Sequence, residues 1–187
     1  VRSPGEAIDA LQEAIEIIRA MWSGGRGLRH DGEIYRAVGA QPGPAPAHDM
    51  SIWLGVLGPR ALRLTGRVAD GWIPSMSYLS PDASLERHAI IDDAAHAAGR
   101  DPAVVRRIYN INGSFADSAA APFSGNDREV IGPVEHWVST LTTLATEYGF
   151  GSFILWTDPT PESLRLFINE VAPAVRERVA AVRSARG

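Results

Sequence analysis

The run Ile52-Trp53-Leu54-Gly55-Val56-Leu57-Gly58-Pro59-Arg60 holds the residues best suited to gripping a ligand. Gly55 and Gly58 permit a sharp exit from an apolar strand and a close backbone approach. Pro59 suits the first turn of a helix, where its missing N–H costs nothing. The unpaired N–H groups of that turn could hold an anion, because the helix dipole favours negative charge there; a purely structural tight turn is the competing reading. Arg60 stands beside the seat, either to pair with an anion or to face water. Further on, Ala69-Asp70-Gly71-Trp72 sets a carboxylate next to a glycine and an indole. Asp70 reads as an anion repeller, a cap or a hydrogen-bond acceptor for neighbouring loops.

Other chemistry-bearing residues are less well arranged. His30, Asp31 and Glu33 alternate on an irregular stretch and read as a solvated turn, so no metal site is expected. His88 and His96 lie eight apart on a helical segment with no carboxylate triad beside them, and read as packing or surface residues. The chain has no cysteine, which removes disulfides and a thiol nucleophile.

The elements that position these residues follow from hydrophobic spacing. Ser3-Pro4-Gly5-Glu6 has the pattern of a capping box, and Leu11, Ala14, Ile15, Ile18, Met21 and Trp22 recur at helical intervals, so residues 1–23 form a helix. Residues 24–50 read as an insertion loop, with a short hairpin around Asp31-Gly32 and a stiff Pro42-Gly43-Pro44-Ala45-Pro46 connector. Residues 51–187 then repeat strand and helix four times. The expected strands are 52–54, 69–74, 104–111 and 152–156. The helices follow Pro59, Pro81, Pro133 and Pro161, with Pro173 kinking or restarting the last and residues 176–186 fraying. Such βα repeats imply parallel strands joined by right-handed crossovers, with ligands beyond the C-terminal strand ends. Those ends carry 55–60, 73–78, 110–114 and 156–160.

The 187 residues suffice for one domain with a real core, at 45% apolar and 21% charged. A net charge of −4 excludes a nucleic-acid groove or an anionic membrane as the expected partner. No apolar run approaches the ~20 residues of a membrane span. A cytoplasmic location is the default expectation. The chain opens almost directly into a helix, which suggests an upstream part.

The glycine-proline turn at 55–62, the Gly66-Arg67-Val68-Ala69-Asp70-Gly71-Trp72-Ile73-Pro74 run and the His30-Asp31-Gly32-Glu33-Ile34-Tyr35 piece together resemble the luciferase-like monooxygenase family, in its branch using coenzyme F420 or FMN. The resemblance spans nearly the whole chain. It implies a (β/α)8 TIM-barrel fold of which only the last four βα units are present, a half barrel in α/β class. It also implies that the backbone at Val56, Leu57 and Gly58, with Pro59 and Arg60 opening the helix behind, seats the cofactor phosphate. Asp70 and Trp72 are further candidate cofactor contacts, with a structural role for Asp70 as the competing reading. Leu57-Gly58 stands where the family often has two glycines, which narrows the turn's conformations.

The resemblance implies an oxidoreductase acting on a small organic molecule, by hydride transfer with F420, which the motifs favour, or by FMN-dependent monooxygenation. No residue stands out as general acid or base, so the catalytic residues are unassigned. A half barrel leaves two strand edges and a sheet face open, so completion by a homo-oligomer or a separate N-terminal half is expected. The rival readings are a non-catalytic half barrel or assembly partner that keeps only the phosphate-binding turn, and a phosphate-binding α/β domain of another family.

Overall fold

The computed structural model describes residues 2–25, 27–119, 121–156 and 160–186. Helix α1 (Pro4–Trp22) starts with the expected capping box: Ser3 Oγ accepts from the Glu6 N–H (3.3 Å), and Glu6 Oε2 accepts from the Ser3 N–H (2.7 Å). Within the 24–50 stretch, β1 (Leu28–Asp31) and β2 (Arg36–Ala40) form an antiparallel hairpin. A carboxylate from α1 holds its tip. Glu13 accepts hydrogen bonds from the N–H groups of Glu33, Ile34 and Tyr35 and pairs with His30 at 3.4 Å. These bonds, that from Tyr35 foremost, hold the Glu13 carboxyl below its usual range.

Five parallel strands follow, in four units that each lead to helical structure. They are β3 (Trp53–Leu54) before α2 (Pro59–Val68), and β4 (Gly71–Trp72) before α3 (Pro81–Ala97). Next come β5 (Arg106–Phe115) and a short β6 (Val130–Gly132) before α4 (Val134–Thr146). Last is β7 (Ser152–Trp156), before α5 (Pro161–Leu166) and α6 (Ala172–Arg186). β3 pairs β4, β4 pairs β5, and β5 pairs both β7 and β6, all in parallel. This is the expected βα repeat, with three differences.

The third strand starts two residues later than its composition suggests, because Pro102–Val104 forms a 3-10 turn capped by Asp101. It also runs on to Phe115, so Asn110, Asn112 and Ser114 lie within the strand rather than past it. β6 is an addition inside the small-residue loop, paired to the far end of β5. The close of the chain is helical to Arg186 rather than frayed, and Pro173 is accommodated by a π-helical turn at Phe167–Val171 just before it. Proline has no N–H to continue the i→i−4 ladder, and a widened turn absorbs the break.

The main core lies between the sheet and α3, α4 and α6. Trp72, Tyr109, Trp137 and Phe150 are fully buried there. The Tyr109 and Phe150 rings stack at 4.1 Å, and the Tyr109 hydroxyl donates to the Leu79 carbonyl. A smaller cluster of Ile15, Leu54, Leu64 and Ala69 joins α1 to α2. Met21 and Trp22, which recur at the helical spacing of Ile15, are only half-buried, because α1 packs mainly through Ala10 and Ile15. The sheet face opposite the helices is open. Trp53, Ile154 and Trp156 are exposed on it. Among the described residues, no helix is long and apolar enough to cross a membrane.

Candidate functional site

The chain leaves β3 through Gly55 and turns at Val56-Leu57-Gly58 into α2, with Gly58 as N-cap and Pro59 in the first turn. Gly55 is tight: an added Cβ would sit 3.2 Å from the Ile73 carbonyl of the adjoining chain. Gly58 has extended backbone (φ −75°, ψ 144°), no side-chain cap, and nothing within 4 Å of where a Cβ would be. The first-turn N–H groups of this ten-residue helix therefore face open space with a positive dipole end behind them. That arrangement fits the phosphate of F420 or FMN through backbone alone. Leu57 in place of a second glycine is no obstacle, since its side chain is exposed and its N–H is unaffected.

The other sequence-expected residues divide around this turn. Trp72 lies beneath it, fully buried, and its Nε1–H donates to the Val56 carbonyl at 2.8 Å. Its ring shapes the turn from the core side and does not face the open seat. Arg60 points back to α1 and pairs with Asp9 at 2.5 Å, rather than across the seat. Asp70 precedes β4, which places it at the N-terminal end of the parallel strands, opposite the turn. There its carboxylate accepts from Arg19 (2.9 Å) and from the Ile52 N–H (2.8 Å), tying α1 to the start of β3. In this structure the Asp70 carboxylate is engaged by α1 and the start of β3. His30 is likewise engaged with Glu13 and lines none of the cavities at the strand ends.

Across the same end of the sheet lies a cavity of about 280 Å³ lined by Ser75, Ser77, Tyr78, Asn110, Asn112 and Trp156. The backbone joins these segments: the Met76 N–H donates to the Asn110 carbonyl (2.9 Å), and the Asn110 N–H to the Pro74 carbonyl (3.0 Å). The side chains join them again. Ser77 Oγ–H donates to Asn112 Oδ1 at 2.8 Å, and Asn110 Nδ2 donates to Ser75 Oγ at 3.1 Å. The i, i+2 spacing of Asn110 and Asn112 turns them to one face of β5, and Ser75 and Ser77 meet them from the turn after β4. That alternation was present in the sequence, but without knowing which face looks inward it does not single these residues out. Part of the fourth strand end, residues 157–159, lies outside the described residues.

At the opposite end, His88 of α3 sits between Trp72 (5.1 Å) and Phe150 (5.0 Å). Its Nδ1 accepts from Arg107 Nε at 2.9 Å, and Arg107 also pairs with Asp92. Burial, and then the Arg107 charge, push the His88 imidazole down to about 4. It is a neutral packing histidine, as its sequence context suggests.

Residues 2–123 match the luciferase-like monooxygenase family model. The chain belongs to that family. An F420-dependent hydroxymycolic acid dehydrogenase of Mycobacterium tuberculosis is 34% identical over 116 residues, 62% of this chain and 31% of its own length. An F420-dependent glucose-6-phosphate dehydrogenase of Nocardia farcinica is 31% identical over 110 residues, 59% of this chain and 32% of its own length. The chain thus spans about a third of the length of these curated relatives. Among solved structures, an F420-dependent secondary alcohol dehydrogenase superposes with a TM-score of 0.79 at 17% identity, over 94% of this chain and 64% of its own. A long-chain alkane monooxygenase superposes at 0.76 and 12% identity, over 95% and 58%. At those identities the likeness shows the fold, a parallel α/β partial barrel.

Proposed function

We propose that this chain is the phosphate-anchoring half of an F420-dependent oxidoreductase that transfers hydride to or from a small organic substrate. The observation that carries the reading is the open, uncapped start of α2 at Gly58, at the same sheet end as the polar cavity. The F420-dependent relatives support the choice of cofactor. Bound there, F420 would supply hydride chemistry, taking up or giving the hydride that interconverts an alcohol and its carbonyl, with the hydroxyl proton exchanged with solvent.

The protein's own part is binding and orientation. The N–H groups behind Val56, Leu57 and Gly58 hold the phosphate, and Trp72 fixes the Val56 carbonyl so that the turn keeps its shape. The exposed Trp53, Ile154 and Trp156 face needs a cover to exclude water from the transfer, and a separate N-terminal half or a second copy would supply it. Titrating the purified chain with F420 and, separately, with FMN, followed by the absorbance and fluorescence of each, tests the reading. Saturable binding of F420 in preference to FMN supports it. Preference for FMN moves the chain to the monooxygenase reading, and binding of neither leaves a non-catalytic half barrel.

A further inference from the structure

We infer that the cavity at the ends of β4, β5 and β7 takes an uncharged, ring-bearing alcohol or ketone, and discriminates against phosphorylated or carboxylated substrates. This rests on the hydride-transfer reading above for what happens to the molecule once bound. Among the described residues, none that lines it is a cation or a carboxylate. An anionic substrate entering here would give up its hydration without gaining a compensating charge on this wall, which is unfavourable. A neutral hydroxyl or carbonyl loses far less and finds partners.

The hydrogen-bond inventory shows which partners. Asn110 spends one amide hydrogen on Ser75, and Asn112 uses its carbonyl to accept from Ser77. The Asn110 Oδ1 acceptor and the Asn112 NH2 donors then have no intramolecular partner among the described residues. An acceptor and a donor on neighbouring i, i+2 positions of one strand match a hydroxyl, which both gives and receives, and the donor alone matches a carbonyl. The rest of the lining is aromatic. Trp156 is 72% and Tyr78 77% exposed, so two large rings border the cavity with their faces unspent on the core. Such rings bury apolar substrate surface and favour a flat or cyclic body. A site that spends its few polar groups on one oxygen and its area on a ring is the common plan of small-molecule pockets.

The experiment follows tryptophan fluorescence of the full chain while cyclohexanol, cyclohexanone and glucose 6-phosphate are added in turn, with and without F420. Trp156→Phe identifies the reporter, and Asn112→Leu removes the donor while leaving a side chain of similar size. The neutral rings are expected to give a saturable change that vanishes in Trp156→Phe and weakens at least tenfold in Asn112→Leu, with glucose 6-phosphate at least tenfold weaker than either. Glucose 6-phosphate binding as well as the neutral rings, no response to the rings, or an unchanged response in both variants would overturn the inference. F420 binding is read separately from its own absorbance. A chain that binds the rings but not F420 refutes the cofactor reading alone, and one that binds F420 but not the rings refutes this inference alone.

Discussion

Lowering the pH from 7 to 5 should destabilise this fold through one residue, His88. In the folded chain its imidazole is held neutral between Trp72 and Phe150, with its Nδ1 committed to Arg107 and its Nε2 buried without a partner. Burial, reinforced by the Arg107 charge, lowers it from 6.5 to about 4. The unfolded chain, with an ordinary imidazole, takes up the proton first. Stability is therefore complete above pH 6.5 and is lost as the pH falls toward 4. At 1.36 kcal/mol per pH unit the whole effect is about 3 kcal/mol, of which about 2 kcal/mol falls between pH 7 and 5. Urea unfolding at pH 7, 6 and 5 reads it directly. With a slope of about 2 kcal/mol per molar, the midpoint should drop by roughly 1 M. The carboxylates held below their usual range, Glu6, Glu13 and Glu135, lose their contribution only as the pH falls below 4.5, outside this window. His88→Gln, which accepts a hydrogen bond but does not titrate here, should flatten the profile. A flat wild-type profile, or an unchanged slope in His88→Gln, would refute the reasoning.

Three further substitutions probe the scaffold. Gly66→Ala would place a Cβ 2.3 Å from the Ile91 carbonyl and 2.9 Å from Ala94 Cβ, forcing α2 and α3 apart. It should lower stability by about 1–3 kcal/mol in thermal unfolding. Arg100 donates to the carbonyls of Gly66 (2.5 Å) and Ala69 (2.8 Å) at the end of α2. Arg100→Ala should therefore cost about 1.5–3 kcal/mol in urea unfolding, with little relief from Arg100→Lys, which cannot reproduce the fork. Asp70→Asn should weaken the α1–β3 tie by at most about 1 kcal/mol, because the Arg19 pair is partly exposed. It should leave F420 affinity within about twofold of wild type, as measured by titration, because the residue lies at the far end of the strands. A large loss of affinity would return Asp70 to the cofactor site.

Much of this arrangement was legible in the residues. Ser3, Glu6 and Thr160 announce helix starts through local capping chemistry, and the structure places caps at these positions. The Gly55–Pro59 turn was readable because glycine permits, and proline fixes, backbone geometry wherever they stand. Asp70 was ambiguous because its partners, Arg19 and Ile52, are 51 and 18 residues away, and only the parallel register puts it opposite the turn. The direction of Trp72 was hidden for a related reason. A two-residue strand carries no alternation from which to read its buried face. β6 escaped notice because three residues in a small-residue loop have too short a pattern, and pairing with the end of β5 decides their conformation. The Ser75, Ser77, Asn110 and Asn112 cluster needed the same long-range register to come together.

The most direct test of the phosphate seat is the dissociation constant of F420 for the wild type and for Gly58→Leu. The backbone at Gly58 is one any residue adopts, and the space ahead of it is empty, so the variant should fold with wild-type stability while its side chain fills the seat. The account predicts at least tenfold weaker F420 binding at unchanged melting temperature. Equal affinity in the two proteins would contradict it and would put the cofactor phosphate elsewhere.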